Sequence, residues 1–171
     1  MQPIVELNER IWQNLRTELS GVGPQEAEWR PLPQANSISI LVRHLRIEAE
    51  WQLASLEHGE ESPTETTPIL LQFVDSVPLD FEQNRRKLDE LCTKFIEVLR
   101  EKTLDDIEKG TVLVYKGYPA DHLTLHFLGF HHPTHLAMHW GQIRTIRTLY
   151  LKTRGEPVPP RFHPDNLSYP H

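Results

Sequence analysis

The sequence predicts an all-α protein in which four helices form a bundle, with long connections between some of them and an extended C-terminal tail. Apolar residues recur every three or four positions in four segments. These segments are residues 3–21, 37–58, 80–102 and 121–153. The strand-like run 111–115 is followed by Gly117 and Pro119, so we expect a loop or a short extended piece there. With 171 residues and no internal repeat, the simplest organisation is one domain, residues 1–171.

The first two helices have clear end signals. The first is predicted to end at the glycine- and proline-containing residues 21–24. The connection that follows contains three prolines in the run PQEAEWRPLPQANS, which predicts ordered coil on the surface. The second helix should begin with Asn36 or Ser37 as its N-cap and end at Gly59.

The third helix should begin at Asp80, because Gln83 three residues later completes the pattern of a capping box. Its apolar stripe includes Cys92, which we interpret as a small core residue rather than a reactive thiol. The link before this helix contains an apolar run, residues 69–73, that should pack against the protein. The proline-rich tail, residues 155–171, should be extended, on the surface or at a partner chain.

Composition excludes several classes of function. The net charge is −6, from 24 acidic and 18 basic residues, and no basic cluster alternates with aromatics, which argues against a nucleic-acid partner. The N-terminus lacks the pattern of a secretory signal, and no apolar stretch approaches the roughly 20 residues that span a bilayer. The single cysteine excludes an intrachain disulfide. We therefore expect a soluble cytoplasmic protein without membrane association.

The fourth predicted helix carries the most informative pattern, since His131, His135 and His139 follow one another at four-residue intervals. His135 and His139 fall on the predicted apolar stripe. The other members of that stripe are Gln142, Ile143, Ile146, Leu149 and Tyr150. Burying two imidazoles is costly unless each finds a partner, which a divalent metal or buried hydrogen bonds would supply. HxxxH spacing alone leaves both alternatives open.

Pro133 affects which of these histidines act together. It predicts either a kinked helix or a new helix beginning at Pro133. Because the helix would break between His131 and His135, we leave His131 out of the group. Arg144 and Arg147 point away from the predicted inward stripe, so we expect them at the surface or at a dimer contact.

The second helix offers further candidates. His44 lies at the flank of its apolar stripe and, taken alone, is a boundary histidine. Glu48 lies one turn further along, where it could be a general base, a fourth metal ligand or a carboxylate beside the site. In the fourth helix, Gln142 is the better candidate for contacting a metal-binding histidine from outside, because it shares the inward stripe and follows His139 by three residues.

Two segments carry a resemblance to a known family. WRPLPQANSISILVRHLRIEAEW resembles the start of the second helix in the DinB-like (DinB/YfiT) superfamily of four-helix-bundle proteins, and HLAMHWGQIRTIR resembles its fourth-helix HxxxH followed by Gln. The resemblance extends from Pro3 to about Arg154. It implies a triad of metal ligands, and the matching positions are His44, His135 and His139.

The resemblance also implies a class of function. Three histidines leave positions open on zinc or nickel, or on iron or manganese, which is typical of a catalytic site. The expected activity is that of a metal-dependent hydrolase or a thiol S-transferase acting on a small molecule, with a low-molecular-weight thiol among the candidate partners. A homodimer is also implied. The alternatives are a non-enzymatic, stress-related binding or interaction protein with a structural or vestigial metal, and a bundle whose histidines bind no metal.

Overall fold

The computed structural model describes residues 2–58, 78–109, 111–112 and 123–159. Its elements are α1 (Gln2–Ser20), α2 (Pro24–Glu28), α3 (Ile38–His58), α4 (Phe81–Glu101), α5 (Leu104–Lys109), β1 (Thr111–Val112), β2 (Leu123–Thr124) and α6 (Leu125–Thr153). The apolar run 69–73 and most of the proline-rich tail, predicted above to pack and to be extended respectively, lie outside the described residues.

The four long helices form the predicted bundle. α1 and α3 each pack against both α4 and α6, so the apolar stripes of all four helices meet in one core. The most deeply buried side chains come from every long helix and include Leu15, Leu45, Leu56, Leu88, Phe95, Leu99, Leu136 and Ile143. The prediction of an all-α fold is therefore confirmed.

The short extended piece predicted at residues 111–115 has a partner that the sequence did not reveal. Thr111 pairs with Thr124, and Val112 pairs with Leu123, in an antiparallel pair of two-residue strands. The second strand leads directly into α6, where Thr124 acts as N-cap and its hydroxyl accepts a hydrogen bond from the Phe127 N–H. The strand pair thus fixes the start of the helix that carries the histidines.

Helix ends follow the expected capping chemistry. Ser37, and not Asn36, is the N-cap of α3, since its hydroxyl accepts from the Ile40 N–H at 3.3 Å. Asp80 caps α4 by accepting from the Gln83 N–H at 2.9 Å. The connection expected to be coil between the first two long helices instead contains α2, which starts at Pro24. A proline at the first helical position loses no hydrogen bond, which explains why this short turn forms.

α6 runs as one helix through Pro133, so the alternative of a new helix beginning at Pro133 was wrong. Proline has no N–H, so the carbonyl of Gly129 loses its usual partner within the helix. The buried side chain of Asn8 on α1 replaces it, donating from Nδ2 to Gly129 O at 2.9 Å and to Ile4 O at 2.8 Å. The two helices approach closely here, since a methyl group at Gly129 would come within 3.0 Å of Ile4 Cγ2.

Arg144 and Arg147, predicted at the surface or a dimer contact, are partly exposed and form ion pairs within the chain. Arg147 contacts the nearly buried carboxylates of Glu18 at 2.9 Å and Glu26 at 3.0 Å, and it donates to the carbonyl of Gly21 at 2.6 Å. Arg144 contacts the other oxygen of Glu18 at 2.7 Å. Burial raises the pKa of Glu26, and the nearby Arg147 charge opposes that shift. Together these ion pairs hold the C-terminal half of α6 against the end of α1.

Cys92 is a core residue, as predicted. Its side chain is fully buried in α4, and burial together with the neighbouring Asp89 charge raises the pKa of its thiol well above the ordinary value. Because the thiolate is the reactive form, this cysteine is chemically inert.

The helices in the described ranges all lack the combination of length and apolar character that crossing a bilayer requires.

The Asn8–Gly129 hydrogen bond predicts a coupling between Asn8 and Pro133. Replacing Asn8 with Leu leaves the buried Gly129 carbonyl without a donor, so the free energy of unfolding should fall by about 1–3 kcal/mol. In a Pro133→Ala background, the new N–H of residue 133 can reach that carbonyl, and the same Asn8→Leu change should cost clearly less. Urea unfolding of the four proteins measures the difference. A matched control is Asn14→Leu, at a half-buried asparagine of the same helix. An equal fall in the free energy of unfolding in both backgrounds would contradict the inference that Asn8 takes the place of the N–H that Pro133 lacks.

Candidate metal centre

The candidate site lies where α3 and α6 face each other. His44 of α3 lies against His135 and His139 of α6, while Gln52 of α3 contacts His132 of α6. Residue numbers therefore rise along one helix as they fall along the other, so the helices are antiparallel here. This register brings the three histidines that the family resemblance named, His44, His135 and His139, into one cluster.

The three imidazoles point the same ring nitrogen at one another. His135 Nε2 lies 3.2 Å from His44 Nε2 and 3.1 Å from His139 Nε2. One nitrogen from each of the three rings lies within 4.8 Å of the others, and within the described ranges this is the one such group of three or more histidine, cysteine or acidic residues. His139 is buried, whereas His44 and His135 are partly exposed. The cluster is therefore open to solvent on one side.

Mutual hydrogen bonds cannot satisfy this arrangement. A neutral imidazole nitrogen carries either one hydrogen or one lone pair, so His135 Nε2 cannot donate to one neighbour and accept from the other. A divalent cation that takes a lone pair from each ring removes the conflict. Two imidazoles at the usual 2.0–2.1 Å from a tetrahedral zinc have nitrogens about 3.3 Å apart, close to the separations found here. The donor set thus fits a metal ion.

Gln142 fixes the orientation of one ring, although it is exposed and does not share the buried stripe as the sequence suggested. Its Oε1 atom lies 2.8 Å from His139 Nδ1. Because a carbonyl oxygen can only accept, Nδ1 of His139 carries the hydrogen and Nε2 presents its lone pair to the cluster. Metal-binding histidines commonly use such an outer hydrogen bond to hold their tautomer.

The surroundings favour the neutral form of two of the rings, those of His44 and His135. Burial lowers the pKa of His44, and the His139 charge acts in the same direction. Burial, followed by the charges of His139, His44 and His131, lowers the pKa of His135 to about 3. Neutral imidazoles offer the lone pairs that a metal ion needs, so these shifts favour metal binding at neutral pH.

His131 stands beside the cluster but outside it. Its ring stacks on His135 with centroids 5.5 Å apart, and Phe127 stacks on its other side at 5.1 Å. The helix does not break at Pro133, so the reason given for leaving His131 out was wrong. Burial lowers the pKa of His131. His131 thus lies in a stack of rings along α6, between Phe127 and His135.

His132 is the polar residue at this interface that the sequence analysis missed. It is buried, stacks on Phe95 at 4.0 Å and donates from Nδ1 to Gln52 Oε1. Its Nε2 has no hydrogen-bond partner among the described residues. Burial, with His135 and His131 contributing, lowers its pKa to about 3. Its position four residues from both Leu128 and Leu136, on the true apolar stripe, was the available signal.

Glu48 lies one turn beyond His44 on α3 and is half-buried. Burial raises the pKa of its carboxyl group. A buried carboxylate with a raised pKa accepts a proton more readily than one in water. Glu48 lies on the same side of α3 as His44, since four residues separate them.

Fold and cluster together define a class: a four-helix bundle with a partly open site of three histidines, two from one helix and one from another. The family model of mycothiol S-transferases matches residues 6–151. The chain therefore belongs to the mycothiol S-transferase family, a DinB-like family, which confirms the resemblance found in the sequence.

A search of solved structures gives the same fold. A conserved protein from Enterococcus faecalis superposes with a TM-score of 0.65 over 88% of this chain and 96% of its own, at 17% sequence identity. At that identity the likeness supports the fold alone. No curated protein sequence matches the chain.

The neutral, buried His132 predicts a specific pH dependence. Below pH 6.5 the unfolded chain binds a proton at this residue that the folded protein refuses until about pH 3. Stability should therefore fall as pH falls through this range, by roughly 1 kcal/mol per pH unit from this residue alone. In His132→Leu that contribution disappears, so the free energy of unfolding should depend less steeply on pH. Urea unfolding from about pH 7 to 4, with chelator present, compares the two slopes, and equal slopes would contradict a neutral His132.

Proposed function

We propose that this protein is a metal-dependent S-transferase that joins a low-molecular-weight thiol, of the mycothiol kind, to a small electrophile. The observation that carries the proposal is the convergence of three imidazole Nε2 atoms on the partly exposed side of the bundle. Membership of a family described as mycothiol S-transferases points to a thiol as the substrate. A hydrolase built on the same cluster is the weaker alternative, because nothing in the family description favours water as nucleophile.

The proposed ligands are His44, His135 and His139. Zinc or nickel suits them best, and iron or manganese can also bind histidine nitrogens. A divalent ion held there supplies the positive charge that keeps a bound thiol deprotonated at neutral pH. Gln142 holds the His139 ring in the tautomer that this binding requires.

The reaction would form one carbon–sulfur bond. The thiol sulfur attacks the electrophilic carbon, the leaving group departs with its electron pair, and the thiol proton must go elsewhere. We propose Glu48 as the group that takes this proton, since burial raises its pKa and it lies one turn from His44. Both Glu48 and His131 are half-buried, and the His131 ring stacks on that of His135.

A homodimer and a cytoplasmic location remain predictions of the family resemblance. The arginines that seemed compatible with a dimer contact, Arg144 and Arg147, are engaged with Glu18 within the chain, so they no longer support one.

The metal assignment predicts a selective loss of metal. Protein purified without an affinity tag should contain about one equivalent of a divalent transition metal, measured by inductively coupled plasma mass spectrometry. His44→Ala, His135→Ala and His139→Ala should each reduce retention by at least about tenfold, because two remaining imidazoles bind far more weakly. The matched control is His126→Ala, which removes an exposed histidine of the same helix and should retain the metal.

One outcome would contradict the assignment of a metal site to these histidines. A wild-type protein with less than about a tenth of an equivalent, and no rebinding from added zinc, nickel, iron or manganese, would contradict it.

The transferase proposal predicts thiol-dependent conjugation. Monochlorobimane becomes fluorescent when a thiol replaces its chloride, so it reports the reaction directly. With mycothiol as cosubstrate, the metal-loaded protein should exceed the uncatalysed rate, and His139→Ala should lower kcat/KM by at least about 100-fold. His126→Ala should keep wild-type activity.

A panel of mycothiol, glutathione and cysteine identifies the preferred thiol. If chelation lowers the melting temperature while every thiol reacts at the background rate, the metal is structural and the non-enzymatic alternative is correct.

A further inference from the structure

A cleft adjoins the histidine cluster along the groove between α3 and α6. It has a volume of about 440 Å³, within the range of small-molecule sites. On the α3 side it is lined by Leu41 and by the preceding connection at Pro31 and Asn36, and on the α6 side by Met138, Gln142 and Ile146.

The position of the cleft relative to the cluster follows from the helix register. Leu41 precedes His44 by three residues on α3, and Gln142 follows His139 by three residues on α6. Because the two helices run antiparallel, both steps lead in the same direction along the groove. One helical turn rises about 5 Å, so a molecule of modest size in the cleft can reach the cluster.

The lining indicates what the cleft can bind. Its floor is apolar, since Leu41 and Ile146 are 3% and 7% exposed. The Met138 side chain on its wall is 52% exposed and offers a flexible apolar surface. Among the described residues that line it, none carries a charged side chain, and the polar side chains are the amides of Asn36 and Gln142 and the hydroxyl of Thr145. This chemistry suits a neutral, largely apolar molecule with a hydrogen-bonding end.

Gln142 belongs to both the cleft and the cluster. Its Oε1 accepts from His139 Nδ1, which leaves the two N–H bonds of its amide for other acceptors. An acceptor oxygen on a molecule in the cleft can therefore bind the same side chain that orients His139. The bound molecule would be held at a fixed distance from the three Nε2 atoms.

We propose that this cleft binds the electrophilic substrate by its apolar body and leaves the low-molecular-weight thiol to bind at the histidine cluster. The inference rests on the proposed function, which it deepens by assigning the class of acceptor: a neutral, largely apolar electrophile with a hydrogen-bond acceptor. With monochlorobimane, the thiol sulfur bonds to the chloromethyl carbon, the carbon–chlorine bond breaks, and chloride leaves with the electron pair. The thiol proton passes to Glu48 or solvent.

Met138 allows binding in the cleft to be observed directly. The chain has 2 methionines, the initiator and Met138, so methyl-¹³C-methionine labelling of the full-length, metal-loaded protein gives one signal from the cleft. The probe is tetramethylbimane, the unreactive analogue of monochlorobimane. Titration should shift the Met138 methyl resonance saturably while the Met1 resonance stays in place. Mycothiol alone should leave Met138 unshifted.

Gly141 supplies the variant that blocks the cleft. It lines the cleft, and a Cβ atom added there meets no atom of the described residues within 4 Å, so we expect Gly141→Leu to extend into the cleft without strain on the helix. We expect the KM for monochlorobimane to rise at least about tenfold, with the KM for the thiol and the metal content within about twofold of wild type. Lys152→Leu, at an exposed position further along α6, is the control for added bulk.

Several results would overturn the assignment: no shift of Met138 with tetramethylbimane, a shift of Met138 with mycothiol alone, or an unchanged bimane KM in Gly141→Leu. A failure of the proposed transferase function would give a result different from these three. A protein that shows saturable, Gly141→Leu-sensitive tetramethylbimane binding but no thiol transfer would retain the cleft as a binding site and lose the transferase assignment.

Discussion

The antiparallel register of α3 against α6 is the constraint on which the candidate site depends. Two polar contacts set it, Gln52 to His132 in the core and His44 to His135 nearer the surface. A slip of one turn would move a helix by about 5 Å and separate both pairs. The buried pair is the more demanding, because a carbonyl oxygen and an imidazole without partners in the core cost far more free energy than their hydrogen bond returns. The core contact therefore stabilises the geometry of the exposed cluster.

Much of the fold could be predicted because its signals are local. Helical periodicity and capping residues such as Asp80 depend on neighbours within a turn, and they placed the long helices in an all-α bundle. The candidate site could be predicted only in part from such local signals. Spacing suggested that His135 and His139 act together, but nothing local connects them to His44, 91 residues away from His135 in sequence. The family resemblance made that connection, and the structure brings the three rings together.

The features that sequence reasoning missed depend on partners distant in the chain. Periodicity placed Arg147 away from the predicted stripe, but it could not show that Glu18 and Glu26 close over that side of α6. Pro133 was expected to kink or interrupt the helix because only residues of the helix itself were considered. Asn8 on α1 donates a hydrogen bond to the carbonyl of Gly129, which Pro133 leaves without its usual partner. His132 was overlooked because the stripe was counted from His135 onward, which shifted the buried face by about one residue.

The buried position of Cys92 has a consequence for a protein proposed to handle thiols. As the chain has 1 cysteine and its side chain is fully enclosed, the folded protein exposes no sulfhydryl that could exchange with a disulfide form of its substrate. Oxidised thiols that accumulate under stress therefore have no site at which to form a mixed disulfide with it. The same property makes the molecule a convenient scaffold for labelling, because a cysteine introduced on the surface would be its single reactive thiol.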